Sequence, residues 1–479
     1  MTRINTNVPA LVALSQLQRS NNRLETTLER LSSGLRINRG ADDPAGLIVS
    51  ENLRSEVAGI RQAISNSQRA SNIVATTEGA LNEVASLLSD VQDLIIEAAN
   101  TGAVSDEEIR ANQLQVDSAI ESITRIANST RFAGRSLLDG GLDYTLSGVR
   151  SSAIANLRVN NVLFGTSTFL PVTISVTQSA QQGQLFYRTS QIGQRVNIEV
   201  AGNQGVASLS FSSGTRASAI FAAVNQISDA TGVAARYINV ANPNSGVIFE
   251  SSGFGTKAFV QVEALESSPG TFAVQDPSLA TVIRDEGRDA RVSVNGASTL
   301  GDGLEIKLNT AGLALQFSLR TAFNTTGSTS FAITGGGALF QLGGGISSNE
   351  QKSIGISSIA ATQLGDATIG FLSQIADGED FSLVNGEADR AQQIVNAAIS
   401  QVSVLRGRLG AFEKNTLETN VNQLRITLEN LTASESVIRD ADFAEETSQL
   451  TRNQILGQAG TAVLRIANQT PESVLALLQ

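Results

Sequence analysis

The sequence predicts an α+β protein: a long antiparallel α-helical coiled-coil or bundle core built from both chain termini, with a β-rich inserted outer region. Three observations predict it. Aromatic residues avoid the ends: none occurs from Met1 to Arg131, and after Phe381 only Phe412 and Phe443 remain. Compact cores lean on aromatics, so aromatic-poor ends point to helical rods rather than a globule. Prolines are absent between Pro44 and Pro171 and between Pro277 and Pro471, which leaves room for long helices. Between those stretches the apolar rhythm changes from the period of a helix to a period of two.

The first helix is marked by Ala10, Leu14, Leu17, Asn21, Leu24, Leu28, Leu31 and Leu35, a heptad seam with one polar position at Asn21. Ser32-Ser33-Gly34 ends the pattern. A loop leads to Asp43, a good N-cap, and Pro44, suited to the first helical position. The second helix is predicted from Pro44 to about Asn100, on Leu53, Val57, Ile60, Ile64, Val74, Leu81, Leu88, Val91 and Ile95, with Thr101-Gly102 as its stop. Ser105 and Glu108 form a capping box for a third helix with Ile109, Val116, Ile120, Ile123 and Ala127 on its buried face.

Beyond Phe132, alternation over Val172–Val176, Val196–Val200, Val292–Val294, Leu304–Leu308 and Leu315–Leu319 predicts half-buried strands. One helical patch, Ala217, Ile220, Val224 and Ile227, lies among them. The insert reads as one or two small modules, in the second case dividing near Val282–Asp289 into about 150–285 and 286–338. Helical periodicity returns from Glu387 through Ala391, Ile394, Ala398, Leu405, Leu409 and Phe412, then Leu417, Val421, Leu424, Leu428 and Leu431. A last helix is predicted over about Asp442–Ala467. Thr470-Pro471 restarts a short one before the apolar Leu477-Leu478. The predicted organisation is therefore residues 1–43, an N-terminal inner-core helix and loop; 44–149, the N-terminal part of an outer helical domain; 150–338, a surface-exposed β-rich insert; 339–435, the C-terminal part of the outer domain; and 436–479, a C-terminal inner-core helix.

Composition excludes much chemistry. The 479 residues carry a formal net charge of −11, against the basic face that nucleic acid demands. With neither Cys nor His there is no disulfide, thiolate nucleophile, sulfur-ligated metal or Ser-His-Asp triad, and no catalytic residue, cofactor or metal is expected. No apolar run approaches the ~18 residues of a membrane span, so no membrane insertion is expected. The start, Met1 to Asn7, lacks the apolar stretch of a cleavable signal peptide. The runs Gly335-Gly336-Gly337 and Gly343-Gly344-Gly345 have no Gly-Lys-Ser/Thr after them and read as flexible hinges rather than a phosphate cradle.

One helix of this kind cannot bury enough leucine to offset the entropy of ordering it. It needs apolar partners on more than one face: the C-terminal helix, and neighbouring copies of the chain. Both ends are therefore expected to be labile in a free subunit and helical in a polymer.

The stretch INTNVPALVALSQLQRSNNRLETTLERLSSGLRINRGADDPAGLIVSENLRSEV closely resembles the N-terminal region of bacterial flagellins, and ESVIRDADFAEETSQLTRNQILGQAGTAVLRIANQTPESVLALL resembles their C-terminal region. FQLGGGISSNEQKSIGISSIAATQLG resembles the segment where flagellins return from their variable insert. The resemblance implies a non-enzymatic, extracellular structural subunit that polymerises into the flagellar filament used for swimming. The terminal helices would line an inner tube and the helices 44–128 and 387–432 an outer one, and the chain would be exported unfolded through the flagellar type III apparatus. It implies as partners many copies of the same chain, the flagellar cap, hook-associated junction proteins and an export chaperone. The self-assembly seam is assigned to Leu14, Leu17, Leu24, Leu28, Leu31, Leu35, Leu424, Leu428, Leu431, Leu450, Ile455 and Leu464. In many flagellins the helix before Ala98-Ala99-Asn100 carries an arginine contacted by an innate-immune toll-like receptor. Here that place aligns with Asp90 in Asp90-Val91-Gln92-Asp93-Leu94, and a partner glutamate aligns with Gln115, so weak or absent activation is expected. A hook–filament junction protein of the same superfamily is the alternative. A metallopeptidase-bearing insert would need an H-E-x-x-H motif, which a His-free chain cannot supply.

Overall fold

The computed structural model describes residues 6–165, 167–265, 272–310 and 312–476. Among them are the helices α1 (Val8–Ser33), α2 (Pro44–Ala98), α3 (Asp106–Ser129), α4 (Ala217–Gln226), α5 (Ser228–Thr231), α6 (Ala388–Phe412), α7 (Thr419–Arg439) and α8 (Phe443–Ala476). They fall into two compact units.

The first unit comprises the residues up to Ser71, Gln341–Glu350 and those from Glu413 on. Its α1 starts where the Asn7 side chain accepts the Ala10 N–H at 3.0 Å, and stops at the left-handed Gly34, whose N–H reaches the Arg30 carbonyl at 2.8 Å. α1 packs on α8. The inward stripe of α1 is Ala13, Leu17, Ser20, Leu24, Thr27 and Leu31; that of α8 is Glu446, Leu450, Asn453, Gly457, Gly460, Leu464 and Ala467. This corrects the register read from the leucines. Leu17, Leu24 and Leu31 face the partner helix, but Ala13, Ser20 and Thr27 stand where the pattern places Leu14, Asn21 and Leu28. The reason is close approach: a Cβ on Gly460 would lie 3.2 Å from Leu17 Cδ1. Helices this near take small residues at alternate seam positions.

α8 also runs unbroken to Ala476, through the stop predicted at Thr470-Pro471. Pro471 has no N–H to offer the Ala467 carbonyl, and the Asn7 side-chain amide donates to that oxygen at 2.8 Å instead. The predicted apolar end Leu477-Leu478 lies outside the described residues. Leu35 does not continue the seam. It sits past Gly34 in a connector that pairs with the one leading into α8, Arg36 N–H to Arg439 carbonyl at 2.7 Å and Ala441 N–H to Gly34 carbonyl at 2.9 Å.

α2 begins as predicted, with the Asp43 carboxylate accepting the Gly46 N–H at 2.9 Å. Its Ser50, Val57, Ile60, Ser67 and Ala70 are buried. α7 runs antiparallel to it: Asn420 meets Ser67 at 3.2 Å at one end, and Arg439 meets Glu51 at 2.9 Å at the other. Gln341–Glu350 docks on this pair through the Asn420 amide, which donates to the Leu342 carbonyl at 2.8 Å. A Cβ on Gly59 would fall 2.7 Å from the Gly344 carbonyl. The second glycine run is therefore a docked turn, and its glycines serve close approach rather than a hinge. The single helix predicted over 387–432 is interrupted by a π-helical turn, Glu413–Glu418. The stripe of Val402, Leu405 and Leu409 would continue to Thr416 in heptad phase, but Leu417 is the buried residue, one position later.

The second unit comprises Asn72–Phe340 and Gln351–Phe412. The rest of α2 buries Val74, Leu81, Val84, Leu88, Val91 and Ile95; α3 buries Val116, Ile120, Ile123 and Ala127; and α6 buries Ala391, Ile394, Ala398, Leu405 and Leu409. The capping box of Ser105 and Glu108 is formed. Two β-modules follow, each with its own core. One packs the sheet containing Leu170–Gln178, Gly327–Gly336 and Arg291–Val294 against a three-stranded sheet of Ile154–Val162, Leu313–Leu319 and Glu305–Asn309. The other gathers Val196–Ala201, Phe259–Ala264 and Val247–Ser251 with α4 around Val200, Ile220, Phe249 and Val260. The modules are nested, not consecutive as the division near Val282–Asp289 implies. The first core takes residues on both sides of the second, because Ile174 pairs with both Val294 and Thr329.

Candidate assembly surface

The α1–α8 interface is polar along its middle. The Ser20 hydroxyl donates to the Asn453 carbonyl at 3.2 Å and the Asn453 amide to the Thr27 hydroxyl at 3.3 Å. Arg30 pairs with Glu446 at 3.1 Å, with side-chain exposures of 26% and 7%. Buried polar groups of this kind fix register at the cost of strength. A second set of apolar side chains points the other way. Leu11, Leu14 and Leu28 of α1 are 59%, 48% and 49% exposed, and Phe443, Ile455 and Val463 of α8 are 57%, 60% and 53% exposed. Of the seam residues assigned from sequence, Leu17, Leu24, Leu31, Leu450 and Leu464 are half-buried within the pair, and Leu424, Leu428 and Leu431 are half-buried on α7. Leu14, Leu28 and Ile455 lie outside it. Sequence reasoning missed the polar ladder; its signal is the heptad spacing of Ser20 and Thr27 on α1.

In the segment aligned with the innate-receptor site, Asp90 and Asp93 are exposed and Leu94 half-buried, and the Gln92 amide donates to Asn396 at 3.0 Å. Val91 is in the core at 0% exposure and is withdrawn from that surface: it is part of the α2 stripe. Gln115 is exposed on α3.

A second polar cluster joins α6 to the first β-module. The Arg408 guanidinium donates to the carbonyls of Asn160 and Gly355 at 3.2 and 3.1 Å. The Tyr144 hydroxyl meets Ser353 at 2.8 Å and accepts the Val162 N–H at 3.1 Å. Burial pushes the Asp143 carboxyl up and pulls the Arg158 and Arg408 guanidiniums down. Arg408 spends its donors on backbone, so the cluster fastens elements together. Among the described residues no group of three or more Asp or Glu is placed to hold a metal ion, and no helix is long and apolar enough to cross a membrane.

Residues 4–142 match the family model of the bacterial flagellin N-terminal helical region, and residues 392–478 that of the bacterial flagellin C-terminal helical region. The chain is 28% identical to a flagellin of Salmonella choleraesuis, covering 99% of each chain. It is 28% identical to a B-type flagellin of Pseudomonas aeruginosa, again over 99% of each, and 28% identical to flagellin B of Helicobacter pylori over 100% of this chain and 99% of that one. Among solved structures it is similar to FlgL of Xanthomonas campestris, with a TM-score of 0.28 and 12% identity, covering 79% of this chain and 98% of that one.

Proposed function

The chain belongs to the bacterial flagellin family, and we propose from that premise how its terminal helices build a polymer. It is a structural subunit of the extracellular flagellar filament that drives swimming. Residues 1–43 and 436–479 form the inner layer, 44–149 and 339–435 the outer layer, and 150–338 the outward-facing insert. The single observation that carries this reading is the pairing of α1 with α8 through Ser20, Thr27, Asn453 and small residues while Leu14, Leu28 and Ile455 stay outside. Two long helices with apolar outer faces bury them only against other molecules, and a head-to-tail interface whose rotation does not close into a ring propagates into an open helix. The subunit acts by packing alone, without catalysis or cofactor. The cap, hook-associated junction proteins and an export chaperone engage the same helical ends. Loss of the cation at Asp90 makes the segment around it a weak innate-receptor ligand.

The test is polymerisation of the purified full-length chain, read by electron microscopy and sedimentation. Filaments are expected from the intact chain and none from L14D/L28D. Filaments of normal yield from that variant would contradict the reading. The junction-protein alternative predicts a minor component of sheared surface protein, where a filament subunit dominates.

A further inference from the structure

A pocket of about 510 Å³ opens on the α1–α8 pair, lined by Arg23 and Arg30 from α1 and by Gln449, Arg452 and Asn453 from α8. Three guanidiniums line it and no carboxylate does. Glu446 answers only Arg30, through one oxygen at 3.1 Å, and both Glu446 Oε2 and Arg30 Nε are buried without a hydrogen-bond partner. Arg23 and Arg452 make no ion pair among the described residues. Exposed Arg23 and Arg452 are solvated in a single subunit. One turn on from Arg452, however, stand the outward Ile455 and Leu456 of α8, 60% and 42% exposed, which assembly must cover. Covering these side chains strips water from the Arg452 guanidinium beside them and from the pocket it shares with Arg23. A desolvated charge without a partner is costly, and a guanidinium is best answered by a carboxylate taken in two-pronged fashion. The chain as a whole is acidic, at −11, so each copy brings carboxylates to its neighbours.

We propose that this arginine pocket receives a carboxylate side chain from a second copy of the chain, locking one terminal helix pair onto the next. The proposal rests on the filament reading above. It adds charge recognition to apolar packing, so that steering and register between copies depend on salt while the apolar contact does not.

The experiment compares the critical concentration for polymerisation of the full-length chain with that of R23Q/R452Q across a sodium chloride series, with R23K/R452K as the charge-retaining control. Both arginines are exposed, and far-UV circular dichroism with thermal melting of the monomer checks that folding is unchanged. The expected result is a critical concentration about tenfold or more higher for the Gln variant. Its salt dependence should also be flatter than the parent's, with the Lys variant lying between. A Gln variant that assembles at the parent concentration with the parent's salt dependence overturns the pocket while leaving the filament reading intact. A parent chain that fails to polymerise overturns the filament reading, and the pocket with it.

Discussion

Asp289 shows how much one side chain holds at the passage between the nested modules. Its carboxylate accepts the N–H of Gly303 at 2.8 Å, the N–H of Thr256 at 3.0 Å and the Thr256 hydroxyl at 2.7 Å. Burial pushes its pKa up, but these bonds and the Lys257 charge outweigh it and hold the group below the ordinary carboxylate value. A depressed folded pKa adds stability that is present above the unfolded value of ~3.9 and is lost as pH falls through the folded one. Asp289→Ala is expected to cost about 1–3 kcal/mol at neutral pH, measured by urea unfolding, with the difference from the parent shrinking in acid. Glu446 plays the comparable part in the terminal pair. Glu446→Gln leaves Arg30 without its charge partner, and filaments of that variant are expected to melt at lower temperature. The loss is about 1–2 kcal/mol per subunit, below that of a fully buried pair because Arg30 is 26% exposed. Neither residue was legible as important in the sequence. An aspartate among Gly and Arg, and a glutamate at the start of a helix, look like ordinary surface groups until the fold brings Gly303 and Arg30 to them.

At the scale of elements, the existence of each long helix was legible and its inward face less so. Of the predicted α2 stripe, Val57, Ile60, Val74, Leu81, Leu88, Val91 and Ile95 are buried as their spacing predicts, and Leu53 and Ile64 are half-buried. α1 carries two overlapping stripes, one of leucines and one of small and hydroxyl residues. The close approach of α8 takes Ala13, Ser20 and Thr27 inward beside Leu17, Leu24 and Leu31 and leaves Leu14 and Leu28 outside, which hydrophobicity alone does not anticipate. The π turn at Glu413–Glu418 was readable in principle: Leu409 to Leu417 is eight residues, one more than a heptad. Deleting Asn415 is expected to turn α6 and α7 into one α-helix in which Leu417 falls a heptad after Leu409, so that the Leu424–Leu431 face keeps its direction. Inserting one more residue beside Asn415, with no second π turn to absorb it, should instead rotate that face by about 100°, unseat α7 from α2 and lower the urea midpoint of the monomer, whereas an Asn415→Ala change leaves it within about 0.5 kcal/mol of the parent.

For the whole molecule, the nested insert predicts a separable part. Its strands were visible as period-two runs, but nesting was not. Alternation reveals which residues face a core and never which distant strand completes it. Entry and exit lie side by side, with Gln181 N–H on the Arg288 carbonyl at 2.7 Å and the reverse bond at 2.9 Å. Replacing residues 183–286 by a two-residue turn is expected to leave the first β-module folded, with unchanged thermal melting of the helical core and intact polymerisation. Loss of assembly in a folded variant would show that the second module takes part in it. The central claim concerns the ends: α1 and α8 are held by a polar seam and complete their apolar cores only between copies. Hydrogen exchange of backbone amides in residues 8–33 and 443–476, compared between free subunit and filament, tests this most directly. Rapid exchange in the subunit and strong protection in the filament is the predicted result, and equal, strong protection in both states would contradict it.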